Sequence, residues 1–230
     1  MYLYRHRVRG TLGDATLVWI NPRRVQFHGG SNQPYTWPIK RVLKSLEDRI
    51  PVLRSPARRL NSVLYSLEPF SIRAGLLRHL HPVETVPTYR KIADAIACRD
   101  DLTRSTWFKE LMADLSRDGV AVHKAQRFHS EAEIRSFFAG YVGGLIDSME
   151  TGGYDMTKGE DTGTAMVAAD GSIIKCDAGN HRFSVARILG VPLVPLEILG
   201  AHADWVRAMR INGDLDRLET ALRQVEAQNR

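Results

Sequence analysis

Apolar residues recur at two spacings in this chain, and the change from one to the other organises it. After Pro87, which suits a first helical turn, Ile92, Ala93 and Ile96 share one side; Trp107, Phe108, Leu111, Met112 and Leu115 then repeat the spacing up to Asp118-Gly119. A third set follows a Ser130/Glu133 capping box: Ile134, Phe137, Phe138, Tyr141, Val142, Leu145 and Met149, ending at Gly152-Gly153. Three helices are predicted. Beyond them the period shortens. Two apolar runs, residues 164–168 and 172–176, flank Asp170-Gly171 and predict a β-hairpin. The second strand leads through Asp177-Ala178-Gly179 into a helix carrying Val185, Ala186 and Leu189 on one face, with Gly190 placed to end it. Residues 191–199 are β-prone but hold two prolines, which predicts a short strand with an irregular start or an edge position. Helical patterns over residues 205–211 and 215–228 close the chain.

The first 85 residues are less regular. YLYRHRVRG alternates partly and, with residues 15–20, predicts strands; Asn21-Pro22 ends the second of them. Residues 28–38 are rich in turn formers, and residues 39–50 show helical spacing that stops at Pro51. Short helices are expected over residues 52–82. The whole reads as α+β, with a region at 1–85 and a main domain at 86–230.

Charge changes this picture in one respect. Residues 1–90 hold 15 Lys+Arg against 5 Asp+Glu, and the rest holds 17 against 21, so a chain of net charge +6 has its basic surplus at one end. Such asymmetry suits an anionic partner: nucleic acid, a membrane surface, or an acidic substrate. A solvated basic face accounts for it equally well. The 43% hydrophobic content is that of a globular chain. No apolar run approaches the roughly 20 residues needed to span a bilayer and no secretory leader is recognised at the start, so the expected location is cytoplasmic. Cys98 and Cys176 lack a CxxC spacing, and neither a disulfide framework nor a cysteine zinc site is expected.

The densest chemistry is DAGNHR, Asp177 to Arg182. A strand, a glycine turn and a helix start bring backbone N–H groups and the positive helix end toward one point, where an anion is stabilised. Gly179 allows close approach to the backbone, Asn180 is placed near the N-cap, and His181 and Arg182 add donors able to clamp a phosphate. Asp177 can orient the imidazole, bind Mg²⁺ or anchor the loop. The same residue types also make an ordinary helix-capping turn. His123, His129 and His202 lack metal-ligand spacing; His202 stands out because Trp205 lies one turn later, which makes the pair a possible accessory to the site.

CDAGNHRFSVARILGVPLVPLEI, with its D-x-G-x-H-R loop, Ala-containing helix ending in LG and V-P-hydrophobic strand, resembles the core signature of the ParB/sulfiredoxin-like superfamily. The resemblance covers residues 164–199 and implies a small mixed sheet with flanking helices, preceded by the basic extension. GAHADWVRAMR resembles an H-x-x-W segment of bacterial and archaeal members. In that superfamily the loop binds nucleotide phosphates, which implies that role for Gly179, Asn180, His181 and Arg182. Sulfiredoxins carry cysteine where this chain has Asn180, and partition proteins carry Gly-Glu-Arg-Arg and a following helix-turn-helix domain, for which about 30 residues remain here. The compact phosphotransferase members, such as free serine kinases, resemble the chain better. This implies ATP or another nucleoside triphosphate with Mg²⁺, a small-molecule or glycan hydroxyl as acceptor, Asp177 supporting the loop or the metal, His181 in a catalytic role, and Glu160 or Asp161 as base. The competing expectation is a nucleotide-switched nucleic-acid-binding module without catalysis.

Overall fold

The computed structural model describes residues 3–31, 36, 38–39, 41–43, 45, 50, 54–77, 80–124, 126–158 and 162–230. The architecture is α+β, a mixed sheet of several strands with flanking helices. In chain order the principal elements are α1 (Arg5–Leu12), β1 (Leu17–Ile20), β2 (Phe27–His28), α2 (Arg54–Ser66), β3 (Ser71–Ile72), β4 (His81–Pro82), α3 (Pro87–Ala97), α4 (Thr106–Asp118), β5 (Ala121–His123), β6 (Gln126–Phe128), α5 (Glu131–Phe137), α6 (Gly144–Gly152), β7 (Gly163–Val167), β8 (Ile173–Lys175), α7 (Asn180–Leu189), β9 (Val194–His202), α8 (Ala203–Ala208) and α9 (Leu215–Asn229).

The main sheet runs β1-β9-β7-β8-β2-β4, with β3 sharing the β1 edge of β9. β7 and β8 form the antiparallel hairpin predicted around Asp170-Gly171, closed by Asp170 Oδ1 accepting from Ser172 N at 3.0 Å. Alternation gives the two faces different cores. Ala165, Val167 and Ile173 join the large core with α3, α4 and α7, whereas Met166, Ile174 and Cys176 belong to a smaller cluster with Ile72. Strands from the first 85 residues and from the remainder share this sheet.

Four expectations need correction. Residues 5–12 are a helix, not part of a strand, because Arg5 and Val8 recur on the buried side with Leu12 packed behind them. The third predicted helix is broken into α5 and α6 by a π-helical turn, Phe138–Gly143; the wider turn lets both Phe138 and Val142 reach the core. Residues 54–66 form one 13-residue helix where short ones were expected. Finally, β9 is a nine-residue central strand. It tolerates Pro195 because that residue pairs with Trp19 of β1, while pairing with β7 begins only at Leu196. The predicted helix over residues 39–50 lies largely outside the described residues.

Candidate functional site

β8 delivers the chain into the loop, and Gly179 turns it into α7. Gly179 occupies the N-cap position at φ 69°, ψ 23°, and a Cβ there would lie 2.6 Å from Gly163 Cα and 2.9 Å from Gly163 N. Glycine is required twice over, by the left-handed backbone and by a neighbouring backbone at contact distance. Asn180, expected near the N-cap, directly follows it as the first helical residue. The N–H groups of the first turn of α7 carry no intrahelical acceptor, which is the property that favours an anion there.

Under the turn sits a residue that the sequence reading passed over. Lys175 is 0% exposed, with its ammonium donating to the carbonyl of Cys176 (2.6 Å), the carbonyl of Ala178 and Asn180 Oδ1 (3.0 Å). Three N–H bonds meet three acceptors, all within five residues, so one side chain fixes the loop's path. Burial pushes its pKa down to about 8. A lysine ending an apolar strand immediately before a turn was the available signal.

The loop residues then part company. Asp177, 68% exposed, and Ala178 line a cavity of about 530 Å³ between the sheet, α1 and the end of α2. Asp177 Oδ1 lies 3.9 Å from His28 Nε2. The cavity is also lined by Arg5, His6 and Arg9 on one side and by Phe70, Met166 and Ile198 on another. His181 points into the other face. It is buried against Trp107 and stacked on His123 at 5.4 Å between ring centroids, and its Nδ1 is hydrogen-bonded to Tyr141 Oη at 2.8 Å. Burial, reinforced by Lys124 and His123, lowers its pKa to about 4; burial does the same for His123, helped by Lys124 and Lys91. Both rings are neutral at pH 7.

Arg182 lies over the Tyr154 ring at 4.0 Å and donates to the Asp155 carbonyl. It borders a separate pocket of about 200 Å³ with Tyr141, Ser148 and Lys158. Glu160 and Asp161 lie outside the described residues. His202 caps α8, its Nδ1 accepting from Asp204 N at 3.1 Å, and Trp205 is buried. The β7–β9 register, from Gly163↔Leu196 to Val167↔Ala201, puts His202 and Trp205 at the opposite end of the sheet from Gly179. The structure therefore brings Asp177 and Ala178 to the large cavity and distributes His181, Arg182 and His202 elsewhere.

Four arginines of the basic N-terminal region are engaged within the fold. Arg5 Nη1 meets Glu68 Oε2 at 2.6 Å, Arg9 meets Glu197 at 3.1 Å, Arg23 Nε donates to the Arg187 carbonyl at 3.3 Å, and Arg24 donates to the Gln228 carbonyl at 2.5 Å. No group of three or more His, Cys, Asp or Glu side chains able to hold a metal occurs among the described residues. Comparison with protein-family models, curated proteins and solved structures finds no match.

Proposed function

We propose that this protein is a nucleotide-dependent phosphotransferase or nucleotide hydrolase of the ParB/sulfiredoxin-like kind, acting on the hydroxyl of a small molecule or glycan. The observation that carries the reading is the opening of the residues just before α7, Asp177 and Ala178, onto the 530 Å³ cavity. That volume is in the range of small-molecule sites, and the adjoining helix start supplies N–H donors for phosphate. In this reading the phosphates lie against the Gly179–Arg182 backbone and the acceptor occupies the cavity. The acceptor oxygen attacks the terminal phosphorus, the bond to the leaving nucleoside diphosphate breaks, and the hydroxyl proton passes to a carboxylate, Glu160 or Asp161.

One exposed carboxylate beside a cavity suits a Mg²⁺ that arrives with its nucleotide, since that ion is commonly held by one or two protein carboxylates plus phosphate oxygens. Asp177 would hold it, and the ion would neutralise charge on the phosphates. In this reading His181 fixes the start of α7 through its hydrogen bond to Tyr141.

Isothermal titration with ATP, ADP and CTP in the presence of Mg²⁺ tests the reading. Wild type is expected to bind at least one nucleotide, and Asp177→Asn to weaken it about tenfold or more at unchanged melting temperature. No heat with any of the three nucleotides overturns the proposal, as does Asp177→Asn binding like wild type.

A further inference from the structure

In the reaction proposed above the hydroxyl proton goes to a carboxylate, and Glu160 and Asp161 lie outside the described residues. The cavity itself offers another. Among the described residues two carboxylates line it, Asp177 and Glu197, and they are placed differently. Asp177 stands at the loop, 68% exposed, whereas Glu197 is 14% exposed, the fourth residue of β9 in the run VPLEILGAH. A carboxylate between apolar neighbours on a central strand loses hydration, which a partner has to offset. Its ion-pair partner among the described residues is Arg9, at 3.1 Å, whose own side chain is 75% exposed. A pair so open to solvent contributes little to stability, so the ion pair alone does not account for a glutamate at this point of the sheet.

Strand register brings Glu197 close to the loop. It lies opposite Thr164 of β7, and both side chains line the cavity. Thr164 Oγ1 accepts from Ala178 N at 3.3 Å, and the Thr164 carbonyl accepts from Cys176 N at 2.8 Å. Thr164 therefore rests directly against the loop, and Glu197 stands one strand further, roughly 5 Å across the sheet. We propose that Glu197 is the general base that takes the proton from the acceptor hydroxyl. This inference rests on the nucleotide reading. A hydroxyl seated over Thr164 has the Glu197 carboxylate on one side and, on the other, the phosphates held at the start of α7. Its oxygen attacks the terminal phosphorus, the bond to the nucleoside diphosphate breaks, and the proton passes to Glu197, which releases it to solvent. When no acceptor fills the cavity, water takes its place and the product is inorganic phosphate.

The test is phosphate release from ATP and from CTP with Mg²⁺, read beside titration of the same nucleotides. Wild type is expected to release phosphate slowly. Glu197→Gln keeps the shape of the side chain and an acceptor for Arg9, so it is expected to melt with wild type. It should bind nucleotide within about twofold of wild type while kcat falls about a hundredfold or more. Glu197→Asp keeps the charge facing Arg9 but draws the carboxylate back by one methylene, and should lose about tenfold in kcat; it carries the test if Glu197→Gln does not fold. Undiminished turnover of either variant overturns the proposal. So does a fall in turnover matched by equal losses of nucleotide affinity and melting temperature, which makes Glu197 an anchor for α1. Wild type that binds nucleotide but releases no phosphate also overturns it and leaves the nucleotide reading standing; wild type that binds no nucleotide overturns both.

Discussion

Gly179 and Gly163 touch backbone to backbone: a Cβ on Gly179 would stand 2.6 Å from Gly163 Cα. This contact is what joins the β7 strand to the first turn of α7, and it makes the turn intolerant of any side chain. Gly179→Ala therefore carries two costs, about 1 kcal/mol for a non-glycine residue at φ 69° and a further ~1–3 kcal/mol for the clash. Gly119→Ala is the control. Gly119 ends α4 at φ 68° with nothing within 4 Å of its virtual Cβ, so only the first cost applies. Urea denaturation of both variants should show the larger loss at residue 179; equal losses would mean that the Gly163 contact is unimportant.

Lys175→Met tests the loop's other support. The substitution keeps the buried stem but strands the carbonyls of Cys176 and Ala178 and Asn180 Oδ1, each a buried or partly buried acceptor. Loss of about 2–4 kcal/mol is expected, and increased proteolysis should centre on residues 176–180. Lys175 also has a pH signature. Its folded pKa, about 8, lies below the ordinary lysine value, so between pH 8 and about 10.4 the unfolded chain binds more protons than the folded one. This group's contribution therefore rises with pH across that window. The Met variant should lack the rise.

How much of this was readable beforehand follows from what each feature depends on. The Asp170-Gly171 hairpin and the Gly119 and Gly190 helix stops were legible because they are set by neighbours in sequence. β9 was misjudged because its prolines are harmless only given where β1 and β7 begin to pair, a long-range fact. α1 was misjudged because Arg5 reads as a surface residue until Glu68, far along the chain, is there to receive it. The candidate site shows the same split. DAGNHR was identified as a strand-turn-helix loop from local pattern, but local pattern could not say that Asp177 and His181 would emerge on opposite faces of the sheet. Nor could it show that Lys175 lies beneath them.

His181 and His123 predict acid lability. Both folded pKa values, about 4, are depressed below the ordinary 6.5 chiefly by burial. A neutral buried imidazole is favoured only while the unfolded chain has no proton to gain. Stability from these groups is thus fully present above pH 6.5 and is lost as pH falls from 6.5 toward 4. The buried His181 alone accounts for up to about 3 kcal/mol, and the partly exposed His123 for less. Melting temperatures followed from pH 7.5 to 4 should drop in that interval. His181→Phe should flatten the curve; an unchanged slope would show that other groups control it.

The Arg5–Glu68 pair gives the sharpest contrast between single and double substitution. The two side chains are 6% and 2% exposed and meet at 2.6 Å; Glu68 also accepts from Thr36 Oγ1, and Arg5 lies over the Tyr65 ring at 4.3 Å. The backbone repeats the link, with Arg5 N donating to the Glu68 carbonyl at 2.9 Å. Removing one charge leaves the other desolvated, so Glu68→Gln should cost about 3–5 kcal/mol, whereas Arg5→Met with Glu68→Leu should restore most of that loss. Because Arg5 also lines the 530 Å³ cavity, the double variant separates two roles. If Arg5 serves only to anchor α1, ligand binding should survive in the re-stabilised double variant. If it also meets the ligand, affinity should stay at least about tenfold down while the melting temperature recovers.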